Sequence, residues 1–294
     1  MLKKLVLAAL AAGTLGVAGF AYAKTQREHW NSPGEAFKII DNTYYVGTGG
    51  IGVYLITTPQ GHFLIDGALQ ESVPQIEGHI KELGFKLTDV KYLLTSHAHL
   101  DHTGGLAQLK KDTGATMISS EGDWSALESG AYLGSESNHS LNSVPVKVDR
   151  TIADGGALTL GGVTLKANIT PGHTRGCTSW GWQVKEGGKS YDVLDFCSAT
   201  VAANRLVGPP QYPGIVTDYE RTFVKVRKMH VDVFLAPHPE FYDEAAKRAK
   251  QKAGASANPF IDPTEFGPFI DKAEADFKKQ LAAQEAALKA KKTP

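Results

Sequence analysis

Four residues able to bind a metal fall within six positions: His97, His99, Asp101 and His102, in the run HAHLDH. Burying imidazoles and a carboxylate at that density is costly unless something binds them. A divalent cation would, and neutral imidazole together with carboxylate suits zinc at about 2.0–2.2 Å. Four ligands on one short segment crowd a single open site. They can serve two ions if the chain turns, with His97 and His99 facing one way and Asp101 and His102 the other. Each ion then takes a further ligand from a distant segment. The blander reading is a solvated histidine-rich loop. Two more histidines offer themselves, His173 in TPGHT and His238 in LAPHPE, each directly after a strand-like run and on a turn marked by proline. His29, His62, His79, His139 and His230 lack such a setting and read as surface or packing residues.

The elements around these residues decide whether they can meet. KYLLT, ahead of the motif, reads as a buried strand over 90–95, and Thr103-Gly104-Gly105 opens a helix over about 104–112. The cluster then sits on a loop at the carboxyl end of a strand, where α/β folds place ligand sites. FKIIDNTYYVG, GVYLITTPQG and HFLIDG are short β-branched or aromatic runs separated by turn residues. Val73, Ile76, Ile80 and Leu83 recur at helical spacing. A short strand is expected at Met117-Ile118, a helix over 123–132, and an exposed loop at GSESNHSLNS. Further strands are expected at 145–152, 157–160, 163–169, 178–184, 191–197 and 231–235, with helices over 217–229 and from Pro263 to about Lys289. Each half is a group of strands followed by helices. Two such halves packed sheet to sheet, helices outside, make a four-layer α/β (α+β) sandwich.

The ends and the charge balance bound the setting. Lys3 and Lys4, an apolar stretch from Leu5 to Phe20 and Ala21-Tyr22-Ala23 are the three parts of a secretory signal peptide cleaved after Ala23. An uncleaved anchor helix is the other reading. The expectation is a signal peptide over 1–23, a single domain over 24–294, a periplasmic location and no membrane attachment of the mature form. Residues 24–36 read as a loosely held polar arm. Losing Lys3 and Lys4 from 31 basic residues leaves 29 against 31 acidic, a net charge of −2. No basic excess is available for a phosphate backbone, which excludes nucleic acid as the expected partner.

HxHxDH, a later Pro-Gly-His-Thr and a histidine after a final strand resemble the metallo-β-lactamase superfamily, which implies an αβ/βα sandwich with metal at the edge of the two sheets. YYVGTGGIGVYLITTPQGHFLIDGA, LLTSHAHLDHTGGLAQLKKDTGA, TPGHTRGCTSWGW, SAT and LAPHPEFYD resemble subclass B3 β-lactamases, from about Trp30 to the last helix. The resemblance implies two zinc ions: one on His97, His99 and His173, the other on Asp101, His102 and His238. It implies a monomer acting on small-molecule β-lactam antibiotics, carbapenems included, with a zinc-bound hydroxide oriented by Asp101 and no acyl-enzyme. Ser198 stands where subclass B1 has a cysteine ligand, and Ser198 and Thr200 match the hydroxyls that meet the substrate carboxylate. Trp30 is expected either at the pocket mouth or on the surface. GSESNHSLNS is more polar than the corresponding loop of that family. The rival readings are a lactonase or thioesterase on the same scaffold, and a non-catalytic zinc-binding protein.

Cys177 and Cys197 are the only cysteines, in a chain expected to reach an oxidising compartment. TSWGWQV and SYDVLDF flank KEGGK, whose Gly187-Gly188 suits a hairpin turn. A turn centred near 187 pairs positions whose numbers sum to about 374, as 177 and 197 do, so a disulfide across the open end is expected. Free thiols, or Cys197 beside the metal, are the other readings.

Overall fold

Strand pairs built on tight turns form one end of the first sheet. The computed structural model describes residues 25–292. The signal-peptide reading of 1–23 lies outside them. Strands β1 (Phe37–Ile40), β2 (Thr43–Tyr45), β3 (Tyr54–Thr58) and β4 (Gly61–Ile65) form an antiparallel meander. Helix α2 (Val73–Glu82) then crosses over to β5 (Val90–Leu94), which lies parallel to β4. Helices α3 (Leu100–Thr103) and α4 (Leu106–Thr113) lead to β6 (Thr116–Ser120), and α5 (Glu121–Ser129) leads towards β7 (Arg150–Ile152), both strands parallel to their predecessors. The described residues 25–30, ahead of β1, are helical and are labelled α1.

The second sheet is antiparallel through β8 (Ala157–Leu160), β9 (Val163–Ile169), β10 (Thr178–Glu186) and β11 (Lys189–Asp195). Helix α6 (Ile215–Val226) then carries the chain to β12 (Val233–Leu235), parallel to β11. Helices α7 (Glu244–Lys252) and α8 (Phe266–Lys292) complete the chain.

Alternation along the first sheet builds the layers. Tyr54, Ile56, Phe63, Ile65, Leu94 and Ile118 face the core shared with Trp180, Trp182 and Val193 of the second sheet. Their chain neighbours Leu55, Leu64, Leu93 and Met117 face Val73, Ile76, Ile80, Leu106 and Leu109 of α2 and α4. A strand with both faces covered reads as a continuous apolar run, as LLT and FLI do here. On the far side, Tyr219 of α6 stacks on Phe277 of α8, and Phe223 lies tilted against the same ring. The result is the four-layer α/β/β/α sandwich expected from the sequence.

Several boundaries differ from expectation for physical reasons. The strand expected at 145–152 is only Arg150–Ile152. Pro145 has no N–H, and at Asp149 the N–H still donates to Met117 O at 2.9 Å but the Met117 N–H goes to the Asp149 carboxylate at 2.8 Å rather than to a backbone carbonyl. Helix α7 was not legible because its only buried residue is Lys247. It packs through charged side chains, Lys247 over Tyr242 and Arg248 over Phe37. The described part of the arm, 25–36, is held rather than loose: Arg27 makes a two-point ion pair with Glu71, and Gly34 N–H donates to Gln75. None of the helices among the described residues is long and apolar enough to cross a membrane.

Candidate metal centre

The parallel ends of β4 and β5 present Asp66 and Ser96 side by side. The Asp66 carboxylate accepts Ser96 N–H at 2.7 Å and Ser96 Oγ–H at 2.6 Å. With its hydrogen committed there, Ser96 Oγ accepts from His97 Nδ1–H at 3.0 Å, which leaves Nε2 of His97 as a lone-pair donor. His99 is extended and starts α3, where the motif was expected to be loop throughout. That single helical turn reverses the chain, with His102 and Thr103 N–H both donating to His99 O. His97 and His99 therefore lie before the turn, and Asp101 and His102 on it.

His173 follows β9 on a turn made possible by Gly172, at φ +140°, where a Cβ would stand 2.7 Å from the Tyr219 ring. Its Nδ1–H donates to Thr200 O at 2.7 Å, so Nε2 faces Nε2 of His97 at 3.2 Å. His238 follows β12, its Nε2 3.5 Å from Asp101 Oδ2, while His102 Nε2 lies 3.2 Å from the same oxygen. The fold thus brings together two triads, His97–His99–His173 and Asp101–His102–His238, and the donor atoms within each lie within 4.8 Å of one another. They adjoin at His97 and His102, whose ring centroids are 4.2 Å apart.

Two observations fit this cluster to divalent metal. Nδ1 of His238 is buried with no hydrogen-bond partner, and neither buried ring nitrogen of His102 makes an aligned hydrogen bond, although Asp66 and Asp101 carboxylate oxygens lie 3.3 and 3.2 Å away. Native interiors rarely leave such groups unsatisfied. The donor set, imidazoles with one carboxylate, is also what zinc-like ions take. Electrostatics agrees for the first triad. Burial, then the neighbouring imidazoles, hold His97 and His99 well below the usual histidine range, and burial holds His173 down to about 4. All three are neutral donors at pH 7. Burial opposes charge on Asp101 too, but His102 and His238 outweigh it and keep the carboxyl below its usual range. Burial pushes His102 down, yet Asp101 and Asp66 lift it to about 10.

Ser198 and Thr200 follow β11. Ser198 Oγ accepts Thr200 N–H at 3.2 Å and lies 3.2 Å from Thr200 Oγ1. Thr200 O also takes the Tyr219 hydroxyl at 2.7 Å. Cys177 and Cys197 form a disulfide, Cα atoms 5.8 Å apart. The ladder pairs Trp180 with Asp195 and Glu186 with Lys189. The turn therefore centres between Gly187 and Gly188, both at positive φ, half a residue beyond the expected centre. The cysteines are offset by one place rather than directly opposite, and bridge where the ladder has ended.

Sequence reasoning missed four residues here. Asp66 had a signal, as an acid at the end of an apolar strand. Tyr132 stacks on His99, and its hydroxyl donates to Asn204 Oδ1 at 3.1 Å. Asn204 Nδ2 donates to His173 O at 2.8 Å. Asp123 joins the two loops of the first triad. None of these three carries a local signal. Trp30 lies 6.4 Å from the His238 ring. His79 bonds Val46 O, His62 packs on Phe85, and His139 is exposed. His230 is exposed and pairs with Asp232 at 3.0 Å. A cavity of about 340 Å³ opens beside His99 and His173, lined also by Tyr132, Arg175 and Tyr212.

Residues 46–186 match the family model of the metallo-beta-lactamase superfamily. The fold is similar to that of BJP-1, a subclass B3 metallo-beta-lactamase of Bradyrhizobium japonicum, with 52% identity and a TM-score of 0.86 over 89% of this chain and 98% of that one. It is similar to native FEZ-1 metallo-beta-lactamase from Legionella gormanii, with 38% identity and a TM-score of 0.83 over 86% and 98%. It also resembles a hydroxyacylglutathione hydrolase of Rhodopseudomonas palustris, 30% identical over 121 residues, which are 41% of this chain and 39% of that protein. The chain spans about two fifths of that relative's length.

Proposed function

Because this chain belongs to the metallo-β-lactamase superfamily of hydrolases, we propose that it is a zinc-dependent β-lactamase of the B3 kind. The observation that carries this reading is the pair of adjoining triads with Asp101 between them, on a chain that aligns with 98% of a B3 enzyme. The state of Cys197 supports it: its sulfur is committed to Cys177 and is not free as a thiolate ligand.

His97, His99 and His173 would hold one zinc, and Asp101, His102 and His238 a second. Bound zinc supplies Lewis acidity, bringing a water to a pKa of about 7 and polarising a carbonyl. The protein's own groups do the rest. Asp101, kept ionised, accepts a hydrogen bond from the attacking water and orients it. Ser198 and Thr200 hydroxyls donate to the carboxylate of the β-lactam and fix the ring over the triads. The Asp66–Ser96–His97 and Thr200–His173 bonds hold the imidazole rings in one tautomer and orientation. Water adds to the amide carbon, the C–N bond breaks and the nitrogen takes the proton. No serine nucleophile is needed.

We read residues 1–23 as a cleaved export signal, supported by Lys3, Lys4, the apolar stretch and the AYA site. The mature chain, 24–294, is then a single periplasmic domain acting as a monomer on small molecules. The deciding assay offers nitrocefin, a carbapenem, an acyl-homoserine lactone and a glutathione thioester to the purified protein, with and without a chelator. Chelator-sensitive β-lactam turnover is expected. Fast lactone or thioester turnover beside inert β-lactams would move the function to another hydrolase of the superfamily, the reading favoured by the partial match to the hydroxyacylglutathione hydrolase.

A further inference from the structure

A buried carboxylate unused by this chemistry lies between the two segments that carry the first triad. Asp123, the third residue of α5, is 2% exposed. Its Oδ2 accepts the N–H of Ala98, the residue between His97 and His99, at 2.9 Å. The same oxygen accepts the hydroxyl of Thr174, the residue after His173, at 2.7 Å. Its Oδ1 accepts Gly176 N–H at 2.8 Å. One side chain thus ties the HAHLDH segment to the turn that bears the third histidine.

The backbone is built for this approach. A Cβ on Gly176 would stand 2.2 Å from Ser120 Oγ and 2.4 Å from Asp123 N, and one on Gly122 would stand 2.7 Å from Gly176 Cα. Ser120 Oγ–H also donates to Gly176 O at 2.6 Å. On its other flank the same turn is anchored by the Cys177–Cys197 disulfide.

We propose that Asp123 is a positioning residue that clamps the His173 turn to the metal-binding motif and so sets the geometry of the first triad. The clamp is needed because His97 Nε2 and His173 Nε2 approach to 3.2 Å from different sheets. With Nδ1 the protonated nitrogen of each ring, two lone pairs face each other and repel. Only a fixed backbone on both sides keeps them converged before an ion arrives. Burial pushes the Asp123 carboxyl up from its usual range, and the three donors it accepts from, Thr174, Gly176 and Ala98, pull it back by favouring the charged form. The inference rests on reading His97, His99 and His173 as the donors of one metal.

The test is titration of the metal-free protein with zinc(II) alone, in competition with a chromophoric chelator, for wild type, Asp123→Asn and Thr174→Val. The step belonging to the first triad is identified as the one lost in His173→Ala. An amide has one acceptor oxygen and turns an NH₂ towards at least one of the three donors, so Asp123→Asn breaks the clamp while keeping the volume. Asp123→Asn is expected to weaken that step ten- to hundredfold, the usual cost of losing an outer-shell partner, and to leave the other step unchanged. Thr174→Val, losing one donor of three, weakens the same step by less. A role in folding alone would lower the melting temperature of the metal-free protein and leave both steps alone. Wild-type affinity at both steps in folded Asp123→Asn, or equal loss at both, overturns the proposal. If Asp123→Asn does not fold, Thr174→Val decides: a single weakened step supports it and unchanged affinities overturn it. A wild type with no zinc-binding step assignable to His173 removes the proposal with its premise. No substrate enters the readout, so failed β-lactam hydrolysis leaves the result standing.

Discussion

The phenol ring of Tyr132 lies flat on the imidazole of His99, centroids 4.6 Å apart and planes 17° from parallel. Its hydroxyl reaches Asn204, which in turn holds the His173 carbonyl. Burial pushes that hydroxyl up to about 12, so it stays a neutral donor. Tyr132→Phe keeps the stack and loses one neutral hydrogen bond, a cost of about 1 kcal/mol, so zinc affinity should change by less than about tenfold. Tyr132→Ala frees the His99 ring and should weaken zinc binding by about ten- to hundredfold. Chelator competition checks both, and an alanine variant with wild-type affinity would show that the stack does not orient His99.

Asp101→Asn should lower kcat by at least about a hundredfold while most zinc is retained. The amide can still approach the metal, but it is neutral and accepts the water's hydrogen bond weakly. Steady-state kinetics with metal analysis of the same sample is the check. Full activity in a zinc-loaded variant would remove Asp101 from the chemistry.

Ser198→Ala should act on KM with kcat nearly kept. A hydrogen bond to a charged group is worth about 1.5–3 kcal/mol, or about ten- to a hundredfold. Thr200→Ala should do the same without releasing zinc, because His173 loses only the 3.1 Å contact to Thr200 Oγ1 and keeps its shorter bond to the Thr200 carbonyl at 2.7 Å. An unchanged KM in the double variant would rule out the role of this pair in binding the substrate carboxylate.

The two zinc-binding steps should differ in proton release. His97, His99 and His173 lie below the usual histidine range, His173 at about 4, so they are already neutral at pH 7 and give up no proton. His102, held at about 10 by Asp101 and Asp66 against burial, is protonated in the metal-free protein and must lose that proton to ligate. Affinity at the second triad therefore rises with pH between 7 and 10 by one histidine proton that the first does not release, in addition to any proton lost from bound water. Calorimetric titration in buffers of different ionisation enthalpy measures it. Equal release at both steps would contradict the assignment.

The Cys177–Cys197 bridge closes a loop of about 20 residues, which the chain-entropy model values at about 3 kcal/mol. The double serine variant should unfold at correspondingly lower denaturant. Alkylation of the unfolded, unreduced protein should add no mass to either cysteine. Two alkylated thiols would rule the bridge out.

HAHLDH announced metal chemistry because its meaning is local. Six consecutive residues cannot separate far, and a single reversal of the chain sorts them into two facing groups. Strand alternation was equally legible: Leu64 and Phe63 fall on opposite faces of one strand because the side-chain period is two. Helix α7 was not, since Lys247 and Arg248 pack their charged heads over the Tyr242 and Phe37 rings and leave no apolar period to read. The hairpin was placed to within half a residue, an error that moved the cysteines from facing to offset.

The sequence alone therefore made legible the layered fold, the candidate donor residues and the candidate disulfide, from spacing, from motifs on short segments and from the family resemblance those motifs carry. Tertiary structure decided which distant residues meet. Asp66 reaches Ser96 because β4 and β5 end together. Asp123 reaches Ala98 and Gly176 because the start of α5 docks on the 174–177 turn. Tyr132, Asn204 and His173 converge from three separated segments. Such meetings depend on how two sheets pack over a shared core, a sum of many weak contacts between residues far apart in the chain, which no local pattern encodes.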